Sequence, residues 1–309
     1  MIDRETVRMP TEDVPTTARV QDVLNRAAHV LIVEGPPDQV DSTDLRRLVV
    51  TGDEIADLAR HLAIVDGGTG DRCRCNGWPT IMVHGPDGEL TACWTLHHQT
   101  GLRGIGSCDA DLRDGPALTE WLAQRGLTGS QDVQEMLAEE EAEAEQRRMR
   151  WIQAAPAGLA DVAADVSRPP GRDDEAWSRQ LDEAEGRLAA LIRQHYPDAI
   201  ERNRALLAWA GVRCRESTGG SMWYDMAVLR RIHAESPDLV LTALAARPPS
   251  PAQLDGASEL FCTLEWTNAH DRQLPEPQRS MLIGHIQAVG TDTMRVRLSW
   301  GYYGAERTV

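Results

Sequence analysis

Apolar and polar residues alternate along one short stretch of the first half of the chain, as in a strand with one buried face. The stretch runs from Glu89 to His98, and its apolar members are Leu90, Ala92, Trp94 and Leu96. A second β-prone segment, Thr80–His84, precedes it, and the intervening Gly85-Pro86-Asp87-Gly88 is typical of a tight turn. The pattern therefore predicts a β-hairpin over residues 80–98.

The surrounding residues predict an N-terminal α+β domain over residues 1–129. His29–Val33 is apolar and rich in β-branched residues, which indicates a strand. Thr51 and Glu54 have the spacing of a capping box, and an amphipathic helix pattern follows them. Pro116–Arg125 predicts another helix. We expect a small antiparallel sheet with flanking helices.

The hydrophobic pattern changes after residue 129. Residues 130–151 have high helix propensity and a run of acidic side chains but little apolar face, which predicts a solvated connecting helix. Residues 154–171 are rich in Ala, Pro and Gly, which is typical of a linker. We therefore assign residues 130–171 to an acidic connecting helix and linker.

Residues 172–309 have the periodicity of helices, which predicts an all-α bundle or solenoid-like domain. A stripe of apolar residues steps by three and four positions along the first predicted helix: Trp177, Leu181, Ala184, Leu188 and Leu191. Further helical patterns follow, and their apolar centres recur at roughly 25-residue intervals, as in stacked helical pairs. Residues 218–221 precede one of these helices and are interpreted as its N-cap.

Charge and composition narrow the classes of function. The net charge is −16, and this acidity disfavours nucleic-acid binding and favours basic protein partners. The polar N-terminus lacks the pattern of a signal peptide, and no apolar stretch reaches the length of a membrane helix. We therefore expect a soluble, cytoplasmic protein that does not bind membranes and whose six cysteines are reduced thiols.

The chain contains no lysine, because all 32 residues counted as Lys or Arg are arginines. Chemistry that requires a lysine amine is therefore excluded, including Schiff-base catalysis, a Ser–Lys dyad and a P-loop. The sequence also lacks the nucleophile-elbow, zincin and deaminase motifs.

Soft metal ligands gather in one part of the chain, where Cys73 and Cys75 precede the hairpin and His97 and His98 end it. If the turn sets a simple register, extension of that register puts Cys75 opposite His98, with Cys73 on the same face and His97 pointing away. Two thiolates and an imidazole suit zinc or another soft cation. The sequence therefore predicts a metal site of Cys73, Cys75 and His98, with Cys108 as the fourth ligand.

Two other interpretations of these cysteines remain open. In the first interpretation, the thiols are small buried hydrophobic groups. In the other they perform redox chemistry, which the flanking Arg72 and Arg74 favour because positive charge lowers a thiol pKa. The metal interpretation also depends on a strand that Pro79 interrupts, since proline cannot donate to a sheet ladder.

Two hypotheses for function follow from these features. The first is a non-enzymatic binding or regulatory protein with a metal site, acting through a protein partner. The second is an enzyme that uses Cys73, Cys75 and His98, either for thiol redox chemistry or around a zinc ion. The zinc enzyme also needs a general base, for which Asp109 is the candidate.

Overall fold

The computed structural model describes residues 14–171, 174–213, 222–270 and 273–305. The predicted N-cap at residues 218–221 lies outside this part of the chain. Contacts along the chain divide it into two compact units, Met1–Glu141 and Ala142–Val309, which we call the sheet unit and the helical unit. The α+β fold class predicted from the sequence is confirmed.

The sheet unit contains one antiparallel sheet of six strands in the order β2-β1-β3-β4-β5-β6. The strands are β1 (His29–Val33), β2 (Arg47–Thr51), β3 (Thr80–His84), β4 (Leu90–His97), β5 (Gly101–Arg103) and β6 (Ala110–Asp111). Its helices are α1 (Thr17–Leu24), α2 (Asp53–His61) and α3 (Gly115–Ala123), and α4 (Gly129–Gln153) begins here.

Alternation along the strands separates a buried face from a polar one. Leu96 on β4 pairs with Leu102 on β5, and both are fully buried in a core that includes residues of α1, α2 and α3. Their neighbours Thr95 and Arg103 also pair, and they lie on the opposite face because successive strand residues alternate. This second face holds the candidate site.

The β3–β4 hairpin forms as predicted, but its register differs from the simple one. The turn has three central residues, because Gly85 N–H donates to the Glu89 carbonyl at 3.0 Å and Gly88 adopts a left-handed φ of 79°. The register also shifts between Val83 and His84, where Thr91 is the extra residue. Val83 therefore pairs with Ala92, whereas the register that puts Cys75 opposite His98 would pair it with Leu90, so the predicted register was wrong.

The helical unit contains nine helices besides the end of α4 among the residues that the structure describes. They are α5 (Ala160–Val166), α6 (Asp174–His195), α7 (Ala199–Ala210), α8 (Trp223–His233), α9 (Pro237–Ala245), α10 (Pro251–Leu260), α11 (Leu264–His270), α12 (Gln278–Val289) and α13 (Asp292–Ser299). A Cβ built on Gly256 of α10 would lie 1.9 Å from the Leu207 carbonyl oxygen of α7, so glycine is required for this close approach. No described helix is both long enough and apolar enough to cross a membrane.

Candidate metal centre

Four side chains converge at the polar face of the sheet unit. Each of Cys73, Cys75, His97 and His98 offers a sulfur or a ring nitrogen, and these four atoms lie within 4.8 Å of one another. The Cys73 sulfur is 3.5 Å from Nε2 of His98. His98 is exposed and the other three side chains are half-buried, so the cluster lies at the surface with its interior shielded.

The two histidines reach the same place because β4 ends between them. His98 and Gln99 have left-handed φ angles of 49° and 59°, and Thr100 N–H closes the turn by donating to the His97 carbonyl at 3.1 Å. This turn breaks the strand alternation that would have sent the two side chains to opposite faces. The imidazole rings instead meet edge to face with their centroids 4.1 Å apart. The expectation that His97 points away was therefore wrong.

The two cysteines arrive on a loop that precedes β3, not on an extension of that strand. Arg103 of β5 holds this loop, because its guanidinium donates to the carbonyl oxygen of Cys73 at 2.9 Å and also to that of Cys75. Gly77 allows the loop to approach β4, since a Cβ there would lie 2.6 Å from the Leu96 carbonyl oxygen. The predicted strand pairing of Cys75 with His98 does not form; a side-chain clamp brings the residues together.

Asp109, the residue directly before β6, completes this clamp. It is 3% exposed, and its carboxylate accepts from Nε and one Nη of Arg103, both at 2.8 Å, and from the Cys73 N–H at 3.0 Å. Burial raises the pKa of Asp109, but the hydrogen bonds from Arg103 and Cys73 outweigh it, so the net pKa is lowered. Asp109 is therefore an ionised group whose two oxygens are occupied.

The surroundings of the two thiols shift their pKa values in opposite directions. The backbone N–H of Cys75 and then the imidazoles of His97 and His98 lower the pKa of Cys73 to about 6. Burial, followed by the neighbouring Cys73, raises the pKa of Cys75. Cys73 is therefore a thiolate at neutral pH, which is the form that binds metal ions.

The residues present fit a soft divalent cation. Nε2 of His97 is buried and has no hydrogen-bond partner, and the nearest carboxylate oxygen, on Asp109, lies 3.8 Å away. A ligand that accepts its lone pair would remove the penalty of an unsatisfied buried nitrogen. Two sulfurs and two imidazole nitrogens are also a donor set typical of tetrahedral zinc.

Cys108, which the sequence analysis proposed as the fourth ligand, is not among the four converging residues. It is a free, half-buried thiol whose sulfur lies against Gly68, where a Cβ would come within 2.4 Å of it. His97 is present in the cluster instead. The signal that could have identified His97 is the turn-forming segment Gln99-Thr100-Gly101, which follows the two histidines and ends the strand.

Comparison of the chain with protein-family models, with curated proteins and with solved structures found no match in any of the three. A function for this chain therefore has to be argued from the site itself, since a fold class alone supports many activities.

Proposed function

We propose that this protein is a non-enzymatic zinc-binding protein in which Cys73, Cys75, His97 and His98 hold the ion. The observation that supports the proposal is the convergence of these four ligand atoms within 4.8 Å of one another. A zinc ion with four protein ligands has no open coordination position, which is typical of structural sites and not of catalytic ones.

The metal would connect two segments that the fold holds close together. Cys73 and Cys75 belong to the loop before β3, whereas His97 is the last residue of β4 and His98 begins the turn to β5. When bound, zinc supplies a cross-link and neutralises the thiolate charge. Arg103 and Asp109 orient the loop, because they bind its backbone, and the Cys73 sulfur then lies 3.5 Å from Nε2 of His98.

The protein would act through contacts with another protein. The net charge of −16 supports a basic partner and opposes binding to phosphate backbones. A reducing compartment such as the cytoplasm would keep Cys73 and Cys75 as thiols that are available to the metal.

Thiol–disulfide exchange is the second candidate, and it is favoured because the two sulfurs lie within 4.8 Å of each other. The Cys73 thiolate would attack one sulfur of a substrate disulfide and release the first substrate thiolate. The Cys75 thiolate would then attack the Cys73 sulfur of the mixed disulfide and release the second. The substrate gains two electrons, its two thiolates take up one proton from Cys75 and one from the solvent, and a Cys73–Cys75 disulfide remains.

Zinc hydrolysis has less support. Both carboxylate oxygens of Asp109 accept hydrogen bonds from Arg103, and the lowered pKa of this group makes it a weak general base. The four-ligand cluster also leaves no position for a metal-bound water.

Metal analysis of the purified chain tests the proposal. We expect one zinc per chain, and cobalt substitution should give the absorption bands of a tetrahedral site with sulfur ligands. Cys73→Ser combined with Cys75→Ser should abolish both signals. Cys93→Ser combined with Cys108→Ser removes two free thiols outside the cluster and should leave both signals intact.

Two outcomes would reject zinc binding. One is a wild-type protein that contains no metal and whose cysteines Cys73, Cys75, Cys93 and Cys108 all react freely with a thiol reagent. The other is a double Cys73/Cys75 variant that retains its zinc. If metal-free protein forms a Cys73–Cys75 disulfide with oxidised glutathione and zinc does not prevent it, thiol exchange becomes the better explanation.

A further inference from the structure

An open groove of about 600 Å³ lies between α3, α4 and the turn that carries His98. One face of α4 forms its long wall through residues spaced three and four apart, including Gln131, Gln134, Ala138 and Glu141. Its volume falls in the range of ligand-binding clefts. The groove belongs entirely to the sheet unit, because all of its lining residues come from that part of the chain.

Hydrogen bonds hold the floor of the groove in place. The Thr119 hydroxyl of α3 donates to Oε1 of Gln134 on α4 at 2.6 Å, and the Gln134 amide donates to the Gln99 carbonyl at 3.2 Å. These bonds link both helices to the β4–β5 turn. The groove is therefore formed before any ligand binds, which lowers the entropy cost of binding.

The lining of the groove combines apolar surface with negative charge. Pro116, Leu137 and Ala138 supply apolar contacts, and three exposed carboxylates, Glu120, Glu135 and Glu141, stand among them. Among the described residues that line the groove there is no arginine. An occupant that matches this surface has apolar side chains together with positive charges.

We propose that this groove binds a basic amphipathic segment of a partner protein. This proposal rests on the proposed function in one respect, because it names the surface that the protein partner would contact and the chemistry of that partner. Binding at the groove does not require the metal. An amphipathic helix that places apolar residues in a groove and arginines or lysines against its acidic rim is a common recognition mode. A second copy of this chain is a poorer match, because its own net charge of −16 opposes association.

Binding of a synthetic peptide tests the proposal. The probe is a fluorescein-labelled helical peptide of about 16 residues, with leucines along one face and arginines beside them. Its control has glutamate at every arginine position. In fluorescence anisotropy with the full chain, we expect the basic peptide to bind with Kd below roughly 100 μM, more weakly at high salt. The acidic peptide should not bind.

Two neighbouring residues of α4 give a matched pair of variants. Leu137 lines the groove and is 42% exposed, whereas Met136 is 49% exposed and does not line it. Leu137→Asn should weaken peptide binding about tenfold, the effect of losing one buried leucine. Met136→Asn should leave binding unchanged, and both variants should fold because both side chains are already exposed.

The acidic residues of the groove and of the rest of α4 provide a second matched comparison, between two triple variants. Glu120→Gln, Glu135→Gln and Glu141→Gln together should weaken binding about tenfold and flatten its salt dependence. Glu139→Gln, Glu140→Gln and Glu143→Gln remove the same charge from positions of α4 that do not line the groove, and they should have a much smaller effect.

The proposal is overturned if the basic peptide fails to bind, if the acidic peptide binds equally, or if both members of a pair weaken binding alike. Concentration-dependent dimerisation that Leu137→Asn abolishes would assign the groove to a second copy of the chain and also overturn it. Metal content is measured on the same samples, so loss of peptide binding with zinc retained separates this proposal from that of the metal site.

Discussion

One histidine in each unit lies close to an aspartate of the same unit. The two aspartates differ in whether they hydrogen-bond the imidazole. In the helical unit, Nε2 of His285 is 2.8 Å from Oδ1 of Asp255, and both side chains are nearly buried. In the sheet unit, Nε2 of His97 is 3.8 Å from Oδ2 of Asp109, beyond hydrogen-bond distance. The first imidazole has a hydrogen-bond partner within the protein, and the second has no hydrogen-bond partner at this nitrogen.

The difference arises from Arg103. Its guanidinium binds both carboxylate oxygens of Asp109 and the backbone of the cysteine loop. Asp109 therefore holds the loop and makes no hydrogen bond to Nε2 of His97, which lies 3.8 Å from its Oδ2 atom. A histidine that hydrogen-bonds a carboxylate stabilises the fold, whereas one whose Nε2 has no hydrogen bond and lies beside two thiols is available to a metal ion.

The largest expected effect is a response to zinc that is confined to the sheet unit. At free zinc about 1,000-fold above its Kd, the free energy of unfolding of this unit should rise by about 4 kcal/mol. Hydrogen exchange across a denaturant series, read peptide by peptide, reports each unit separately. Peptides around His98 and Arg103 should gain protection, and those around His285 should not.

The control for this prediction is the variant Cys73→Ser combined with Cys75→Ser, which should show no zinc response in either unit. Equal stabilisation of both units, or a full response in the double variant, would contradict the contrast between the two histidines.

The sequence predicts the scaffold of the site better than its geometry. Alternation over Leu90–Leu96 and the turn residues before it are local signals, and they were sufficient to predict the β-hairpin and the α+β class. The register depends on the left-handed Gly88 and on the extra residue Thr91, and neither changes the apolar pattern. The periodicity of apolar residues therefore could not predict which residues of the two strands pair far from the turn.

The same limit applies to the ligands. Residue type and proximity in sequence were enough to predict Cys73, Cys75 and His98 as candidates. The inclusion of His97 depends on left-handed backbone at His98, a conformation that non-glycine residues rarely adopt. The position of the cysteine loop depends on Arg103, whose role is visible only after β5 has paired with β4.

The second effect is a pH dependence that belongs to the helical unit. Burial raises the pKa of Asp225 from 3.8 to about 6, against the opposing Met222 N–H and Arg213. A raised carboxyl pKa means that the folded state favours the protonated form. The resulting stability is full below pH 3.8 and is lost as the pH rises through about 6.

Asp225→Asn isolates this contribution, since it keeps an acceptor for Met222 and removes the titration. Relative to that variant, the wild-type free energy of unfolding should fall by roughly 2.4 kcal/mol between pH 4 and pH 7. Urea unfolding at each pH, with chelator present throughout, provides the measurement. Parallel pH profiles for the two proteins would show that Asp225 is not the responsible group.

The third effect tests the paired histidine directly. His285→Ala removes the hydrogen bond between Nε2 of His285 and Oδ1 of the buried Asp255, and we expect a loss of about 2 kcal/mol in the free energy of unfolding. His285→Gln retains a donor and should lose less. Both variants should keep their zinc content. A neutral His285→Ala, or one that loses zinc, would remove the distinction between the two sites.

The smallest effect concerns Asp109, which with Arg103 holds the cysteine loop and makes no hydrogen bond to Nε2 of His97. Asp109→Asn weakens the bonds to Arg103 and Cys73, so the cysteine loop should be held less firmly and zinc should bind about tenfold more weakly, or about 1.4 kcal/mol. Competition with a chromophoric chelator measures this affinity. Asp87→Asn removes the same charge at the far end of the hairpin and should not change it. If both variants bind zinc as the wild type does, the geometry of the loop does not depend on Asp109, and His97 owes its availability to the turn at His98 alone.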